Sequence, residues 1–179
     1  MSDPSIRHSN VPSLTVRPIA RGDAGAVAEL SEQLGYEASV EAIDKHIAEL
    51  SCCPERQIAF VACLEMNGEI VGWIEAVILR ELQSPPYCFI SGLVVREERR
   101  GLGIGKRLCA EVERWSREQG VAVVRVTSRM SREGAHRFYL REGFRQIKIW
   151  AVFEKILSPQ AAPPGGETAF RIEKCRSSK

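Results

Sequence analysis

Residues 92–126 hold the strongest constraint on the fold. An apolar run, Gly92-Leu93-Val94-Val95, leads through a glycine-rich turn into a segment where Ile104, Leu108, Cys109, Val112 and Trp115 share one helical face. Gly120 stands where a left-handed helix stop is favoured, and the β-branched run Val121 to Val126 follows. Strand, helix and strand in this order require a right-handed crossover, so the two strands lie parallel in one sheet.

The remaining elements are antiparallel in character. Leu14 to Ile19 alternates like a short strand. Asp23 is placed to cap a helix carrying Ala26, Val27 and Leu30, with Gly35 closing it. Ser39 opens a second helix with Val40, Ile43, Ile47 and Leu50 at helical spacing. Ile58 to Leu64 and Ile70 to Ile78 flank Asn67-Gly68, a pair suited to the two positive-φ positions of a type I′ turn, which predicts a hairpin. A third strand, Tyr87 to Val95, follows Ser84-Pro85-Pro86. A last helix over about Ser131 to Arg141 ends at Gly143, and Phe144 to Leu157 offers one or two closing strands. The expected class is α/β (α+β): a mixed, mostly antiparallel central sheet with one parallel pair and flanking helices.

A chain of 179 residues, 44% hydrophobic, suits one domain with a real core. That domain is expected over 14–157, between a polar tail at 1–13 and a tail at 158–179 that is rich in Pro, Gly and Ala. The net charge of +2 gives little support to a nucleic-acid or anionic-membrane partner. No apolar run approaches a membrane span and the N-terminus lacks a signal-peptide core, so the expected setting is cytoplasmic. The six cysteines form no C-x-x-C pair and no zinc spacing with His8, His46 or His136, and no metal is expected.

The turn itself reads Arg99-Arg100-Gly101-Leu102-Gly103-Ile104-Gly105-Lys106-Arg107. At a strand end and helix start, unpaired N–H groups and the positive end of the macrodipole favour an anion, and glycines let its oxygens approach the backbone. A Walker loop is excluded, because Arg100 stands where its first glycine belongs and Arg107 where Ser or Thr belongs. A dinucleotide fingerprint from Gly101 is excluded by Lys106 at its third glycine.

Arg100-x-x-Gly103-x-Gly105 resembles the pyrophosphate signature of the GCN5-related N-acetyltransferase (GNAT) family. Ala135-His136-Arg137-Phe138-Tyr139 followed by Gly143-Phe144 resembles that family's second motif. With the early helices and hairpin, the resemblance spans about 14–157. It implies a fold whose parallel strands splay apart, and acetyl transfer from acetyl-CoA to a primary amine by direct attack in a ternary complex. It also implies that Arg100, Gly101, Leu102, Gly103, Ile104, Gly105 and Lys106 cradle the pyrophosphate, while the backbone of Leu93, Val94 and Val95 pairs with the pantetheine arm as an added strand. Arg132 would touch a CoA phosphate. Homodimers are common in the family.

Tyr139 matches the tyrosine that many members use as general acid toward the departing thiolate. The base is less conventional. Relatives often carry a carboxylate just before the Gly-Leu-Val-Val segment, but here Tyr87-Cys88-Phe89-Ile90-Ser91 has none. Glu75 is the substitute: it shares a strand face with Trp73 and Val77, where desolvation would raise its pKa. Arg129 also stands near a position where relatives often have Asn. Tyr36 and the Ser39 helix fall where the family forms its acceptor cleft. Glu32, Glu37, Glu41 and Asp44 there would attract a cationic small-molecule acceptor, such as an amino-sugar-like amine, with a protein amine as the other class. The alternative function is a noncatalytic acyl-CoA-binding or sensing module.

Overall fold

The computed structural model describes residues 13–33, 35 and 39–155. The chain divides into two compact units, one running to Phe144 and the other from Arg145.

In the first unit, β1 (Leu14–Pro18), β2 (Gln57–Leu64), β3 (Ile70–Leu79), β4 (Tyr87–Val95) and β5 (Val124–Val126) form one sheet in sequence order. The first three pairings are antiparallel and β4 with β5 is parallel, as the crossover requires. Helices α1 (Ala24–Glu32), α2 (Val40–Leu50), α3 (Ile104–Glu118) and α4 (Glu133–Arg141) complete it.

The sheet has a core on each face. Phe60, Val71, Ile74, Ala76, Ile78, Cys88 and Ile90 pack with Ile104, Leu108, Cys109, Val112 and Trp115 of α3. Val61, Cys63, Ile70 and Val94 pack on the other face with Val27 and Leu30 of α1, joined by Ile43 of α2 and by Trp73. Burial of Leu108 and Leu30 is complete, which is where removing apolar area from water stabilises most.

Local signals explain most boundaries. Ser39 caps α2 by accepting from the Ala42 N–H at 3.1 Å. Helices α3 and α4 both end in Schellman motifs. Gly120 (φ 73°) and Gly143 (φ 87°) take the left-handed position, and Val121 N–H and Phe144 N–H reach back to Ser116 O and Tyr139 O.

Three expectations need correction. Asp23 is not a side-chain cap for α1; its carboxylate turns back to accept two hydrogen bonds from Arg17, at 2.7 and 2.8 Å, and one from Ala20 N–H at 2.8 Å. A buried carboxylate is better satisfied by a guanidinium than by a helix end. The β2–β3 hairpin exists, but Leu64 N–H bonds Glu69 O across a loop of Glu65 to Gly68, and Asn67 Oδ1 accepts from Glu69 N–H. The turn is therefore longer than a two-residue type I′, with Gly68 at φ 71°.

The closing strands do not form within the described residues of the second unit. Residues 145–155 contain neither helix nor strand, and Ile149, Trp150, Val152 and Phe153 are exposed. Apolar and β-branched side chains favour a strand only where a ladder partner and a covered face exist.

Candidate functional site

A bulge in β4 sets the geometry. Glu75 pairs with Gly92 and Ala76 with Ile90, leaving Ser91 as the extra residue. The parallel pairing of β4 with β5 ends at the same point, with Ile90 opposite Val126. Beyond Ile90, β4 continues to Val95 with β3 on one side and, among the described residues, no strand on the other.

Backbone alternation decides which groups face that open edge. Arg96 N–H donates to Val71 O at 2.8 Å, so the groups of Arg96 and Val94 point toward β3. Those of Leu93 and Val95 point outward. Of the three residues expected to meet an extended ligand, Val94 is in the ladder opposite Trp73, and Leu93 and Val95 have backbone groups pointing away from it.

The open edge leads into the glycine turn. Gly101 and Gly103 have φ of 82° and 77°, and Gly103 is the N-cap of α3 without a side-chain cap. Space beside both glycines is open, so they are there for conformation rather than clearance. The first intrahelical bond runs from Arg107 N–H to Gly103 O, which leaves the N–H groups of Ile104, Gly105 and Lys106 without a partner inside the helix. Leu102 and Ile104 pack into the core and anchor the turn, and Lys106 stays exposed. Arg100 folds back over the end of β4, its Nε donating to Val95 O at 3.3 Å and its Nη1 3.5 Å from Glu97.

Gly105 has a different reason. A Cβ there would stand 3.1 Å from Phe138 Cζ, so this glycine admits the ring of α4 to the first turn of α3. Phe138 in turn meets Tyr139 edge-on at 5.2 Å, and Tyr139 meets Phe144 at 5.4 Å. Burial pushes the Tyr139 phenol up to about 12; Cys109 adds to the rise and Arg132, at the start of α4, opposes it. Arg132 therefore stands with Tyr139.

The opposite face of the sheet carries the acidic group. Trp73, Glu75 and Val77 share a face of β3 as expected. The ring of Trp73 covers Gly92, where a Cβ would lie 2.5 Å from its Cη2. Glu75 meets His46 of α2, with Nε2 to Oε1 at 2.9 Å, and Ser91 Oγ donates to Glu75 O at 3.3 Å. The acids expected to attract a cation divide. Asp44 is held in a two-point pair by Arg21, and Glu32 and Glu41 are exposed. Tyr36 and Glu37 lie outside the described residues.

Sequence reasoning missed His46, because a residue in an exposed helix register gives no sign of a carboxylate 29 positions away. Among the described residues it also missed three buried polar atoms without hydrogen-bond partners: Trp73 Nε1, Ser128 Oγ just past β5, and Arg96 Nε, which lies 3.5 Å from Glu69. Unpartnered buried donors are uncommon enough to mark a place for a ligand or water. Among the described residues no cluster of three or more His, Cys, Asp or Glu is placed to hold a metal, and no helix is long and apolar enough to cross a membrane.

Comparison with known proteins agrees with this arrangement. The family model described as the acetyltransferase (GNAT) family matches residues 27–144. Aminoglycoside N(6′)-acetyltransferase type 1 of Stenotrophomonas maltophilia is 29% identical over 153 residues, 82% of this chain and 96% of that protein. Aminoalkylphosphonate N-acetyltransferase of Salmonella typhimurium is 38% identical over 81 residues, 45% of this chain and 53% of that one. The solved structure of AAC(6′)-Iy with the bisubstrate analog CoA-S-monomethyl-acetylneamine superposes with a TM-score of 0.70 at 19% identity, over 81% of this chain and 99% of that one.

Proposed function

From the premise that the chain belongs to the GNAT acetyltransferase family, we propose that it moves an acetyl group from acetyl-CoA to the primary amine of a small, cationic, amino-sugar-like acceptor. The observation that carries this reading is the open edge of β4, which begins at the Ser91 bulge and ends in a left-handed glycine turn at the start of α3. An extended chain with an anionic end fits such an edge and such a turn.

In this reading the cofactor supplies the acetyl group as an activated thioester. The N–H groups of Ile104, Gly105 and Lys106 hold its pyrophosphate, with Gly101 and Gly103 setting the turn, while Arg100 and Arg132 add positive charge. Leu93 and the Val95 N–H offer outward backbone groups to the arm, while the Val95 carbonyl is taken by Arg100.

Tyr139 donates a hydrogen bond to the sulfur as charge develops there. With its pKa pushed up to about 12, the phenol is a weaker acid than an ordinary thiol near 8.5. Its contribution is therefore stabilisation of the departing thiolate, in place of the complete proton transfer expected of a general acid. Glu75 accepts the proton of the acceptor amine, on the face of β3 opposite α3.

Support for a small cationic acceptor comes from the relatives named for aminoglycoside and aminoalkylphosphonate acetylation, and from Glu75 and Glu49 on the α2–β3 side. The reading includes a cytoplasmic setting and a homodimer, the latter checked by light scattering. Thiol release from acetyl-CoA is measured across aminoglycosides, amino sugars, polyamines and peptide amines, beside calorimetric CoA binding. Release stimulated by the amino-sugar class is expected. Tight binding without release from any amine favours a sensing module instead, and absence of binding overturns the assignment of the glycine turn.

A further inference from the structure

Gly92 stands directly opposite Glu75 in the β3–β4 ladder, so the two positions share one face of the sheet. Another ring fills the place a side chain of residue 92 would take. A Cβ at Gly92 would lie 2.5 Å from both Cη2 and Cζ3 of Trp73, so the indole of β3 rests on the backbone of β4 beside Glu75. We propose that Trp73 determines which amines are acceptors. Its ring narrows the approach to the Ser91 bulge, admitting an amine on an unbranched methylene and holding off one on a branched or ring carbon. This deepens the acetyl-transfer reading and rests on it.

The course of β4 puts the indole at the reacting end. In that reading the anionic end of the cofactor sits at the glycine turn, and the arm runs back past the Val95 N–H and the outward groups of Leu93. The free edge stops at Ile90, where Val126 of β5 takes up the pairing. The thioester end of the arm therefore falls beside Ser91 and Gly92. The amine arrives on the face that carries Glu75, which accepts its proton. On that face residue 92 has no side chain of its own, and the indole covers it.

Packing alone does not call for an indole here. Trp73 is a partly buried neighbour of the layer formed by Val27, Leu30, Val61 and Val94, and its Nε1–H is buried without a hydrogen-bond partner. A phenylalanine would join the same layer and leave no such donor. The indole also confines residue 92 to glycine inside a strand, where glycine weakens the ladder and often marks a close approach. Both costs fall at the start of the open edge of β4. What the indole has and a phenyl lacks is reach, because Cη2 and Cζ3 belong to the far edge of its six-membered ring.

The test uses the full chain and a pair of isomers from the amine class that supports thiol release. For amino sugars these are glucosamine, with its amine on a ring carbon, and the isomer with its amine on the exocyclic methylene. For alkyl amines they are a straight chain and its α-branched isomer. Isomers of equal charge are not told apart by Glu75 acting as a charge. The native enzyme is expected to favour the methylene amine by about tenfold or more in kcat/KM. Trp73→Phe is expected to close most of that gap by raising kcat/KM for the hindered amine, with CoA affinity by calorimetry unchanged. A damaged fold cannot produce such a rise, and the ratio of two acceptors on one preparation cancels any loss of active protein. No native preference, a preference for the hindered isomer, or an unmoved ratio in Trp73→Phe overturns the proposal while leaving acetyl transfer standing.

A second measurement needs no turnover. Gly92→Ala is expected to unfold in less urea, because the new methyl group meets the indole, and its loss is expected to be smaller in the Trp73→Phe background. Equal losses in the two backgrounds place the indole away from Gly92 and overturn the proposal as well. Failure of the native protein to release thiol with any amine overturns the transfer reading itself, and the selectivity with it.

Discussion

The ring of Phe138 rests on the backbone of Gly105, close enough that a methyl group at Gly105 would stand 3.1 Å from Cζ and 3.2 Å from Cε2. One contact thus ties the turn proposed to hold the pyrophosphate to the helix that carries Tyr139. Gly105→Ala sets overpacking at Phe138, usually about 1–3 kcal/mol, against about 0.5–1 kcal/mol of helix stability gained, so a net loss of about 1 kcal/mol is expected. Because the displaced ring belongs to the neighbour of Tyr139, kcat is expected to fall as well. Urea unfolding and steady-state kinetics on the same preparation check both.

Gly103 differs from Gly105, because nothing crowds it and only its φ of 77° excludes other residues. Gly103→Ala is expected to cost about 1–2 kcal/mol of stability through left-handed strain. Gly103→Asp carries the same strain and places a negative charge at the helix N-terminus. Calorimetry is expected to show CoA binding weakened at least about tenfold further by the aspartate than by the alanine.

Tyr139→Phe is expected to reduce kcat by about a hundredfold at unchanged CoA affinity. The raised pKa adds a pH signature. An ordinary tyrosine ionises near 10, whereas Tyr139 in the folded chain holds its proton to about 12. Below 10 both states are protonated and the preference is fully present. As pH rises from 10 to 12 the unfolded chain ionises first, so stability falls across that window. Tyr139→Phe is expected to flatten this part of the stability profile, as followed by chemical unfolding at fixed temperature.

Asp23 is 9% exposed and its two-point pair with Arg17 closes the β1–α1 connection. Hydrogen bonding from Arg17 holds its carboxyl below the ordinary value of 3.8, with burial opposing. Its contribution is therefore present above about 4 and is lost as pH falls through the lower folded value. Asp23→Ala leaves Arg17 without its partner and is expected to cost about 2–3 kcal/mol at neutral pH, with a shallower loss toward acid than the native chain shows. Urea unfolding between neutral pH and pH 3 checks both.

Much of this architecture is legible in the residues because local signals and burial agree. The Ser39 cap and the left-handed Gly120 each specify their element with neighbours close in sequence, whereas of the strand expected over Val121 to Val126 only Val124–Val126 forms. Strand β4 falls where expected because its boundaries coincide with Pro86 and Arg96. What sequence reasoning missed depends on distant partners. The preference of Asp23 for Arg17, the meeting of His46 with Glu75, and the role of Gly105 as a seat for Phe138 are decided by packing between elements. The residues 145–155 carry strand composition without a strand, because composition cannot supply a ladder partner.

The two cores on opposite faces of the sheet have an evolutionary consequence. Trp73, Glu75 and Val77 project away from the layer that α3 shares with Ile74, Ala76 and Ile78 of β3. Under the proposed function, exchanges on their face can drift toward new amines while the turn proposed to hold the cofactor, its helix and the larger core stay under their own selection. A chain built this way can inherit its acyl donor and rewrite its acceptor.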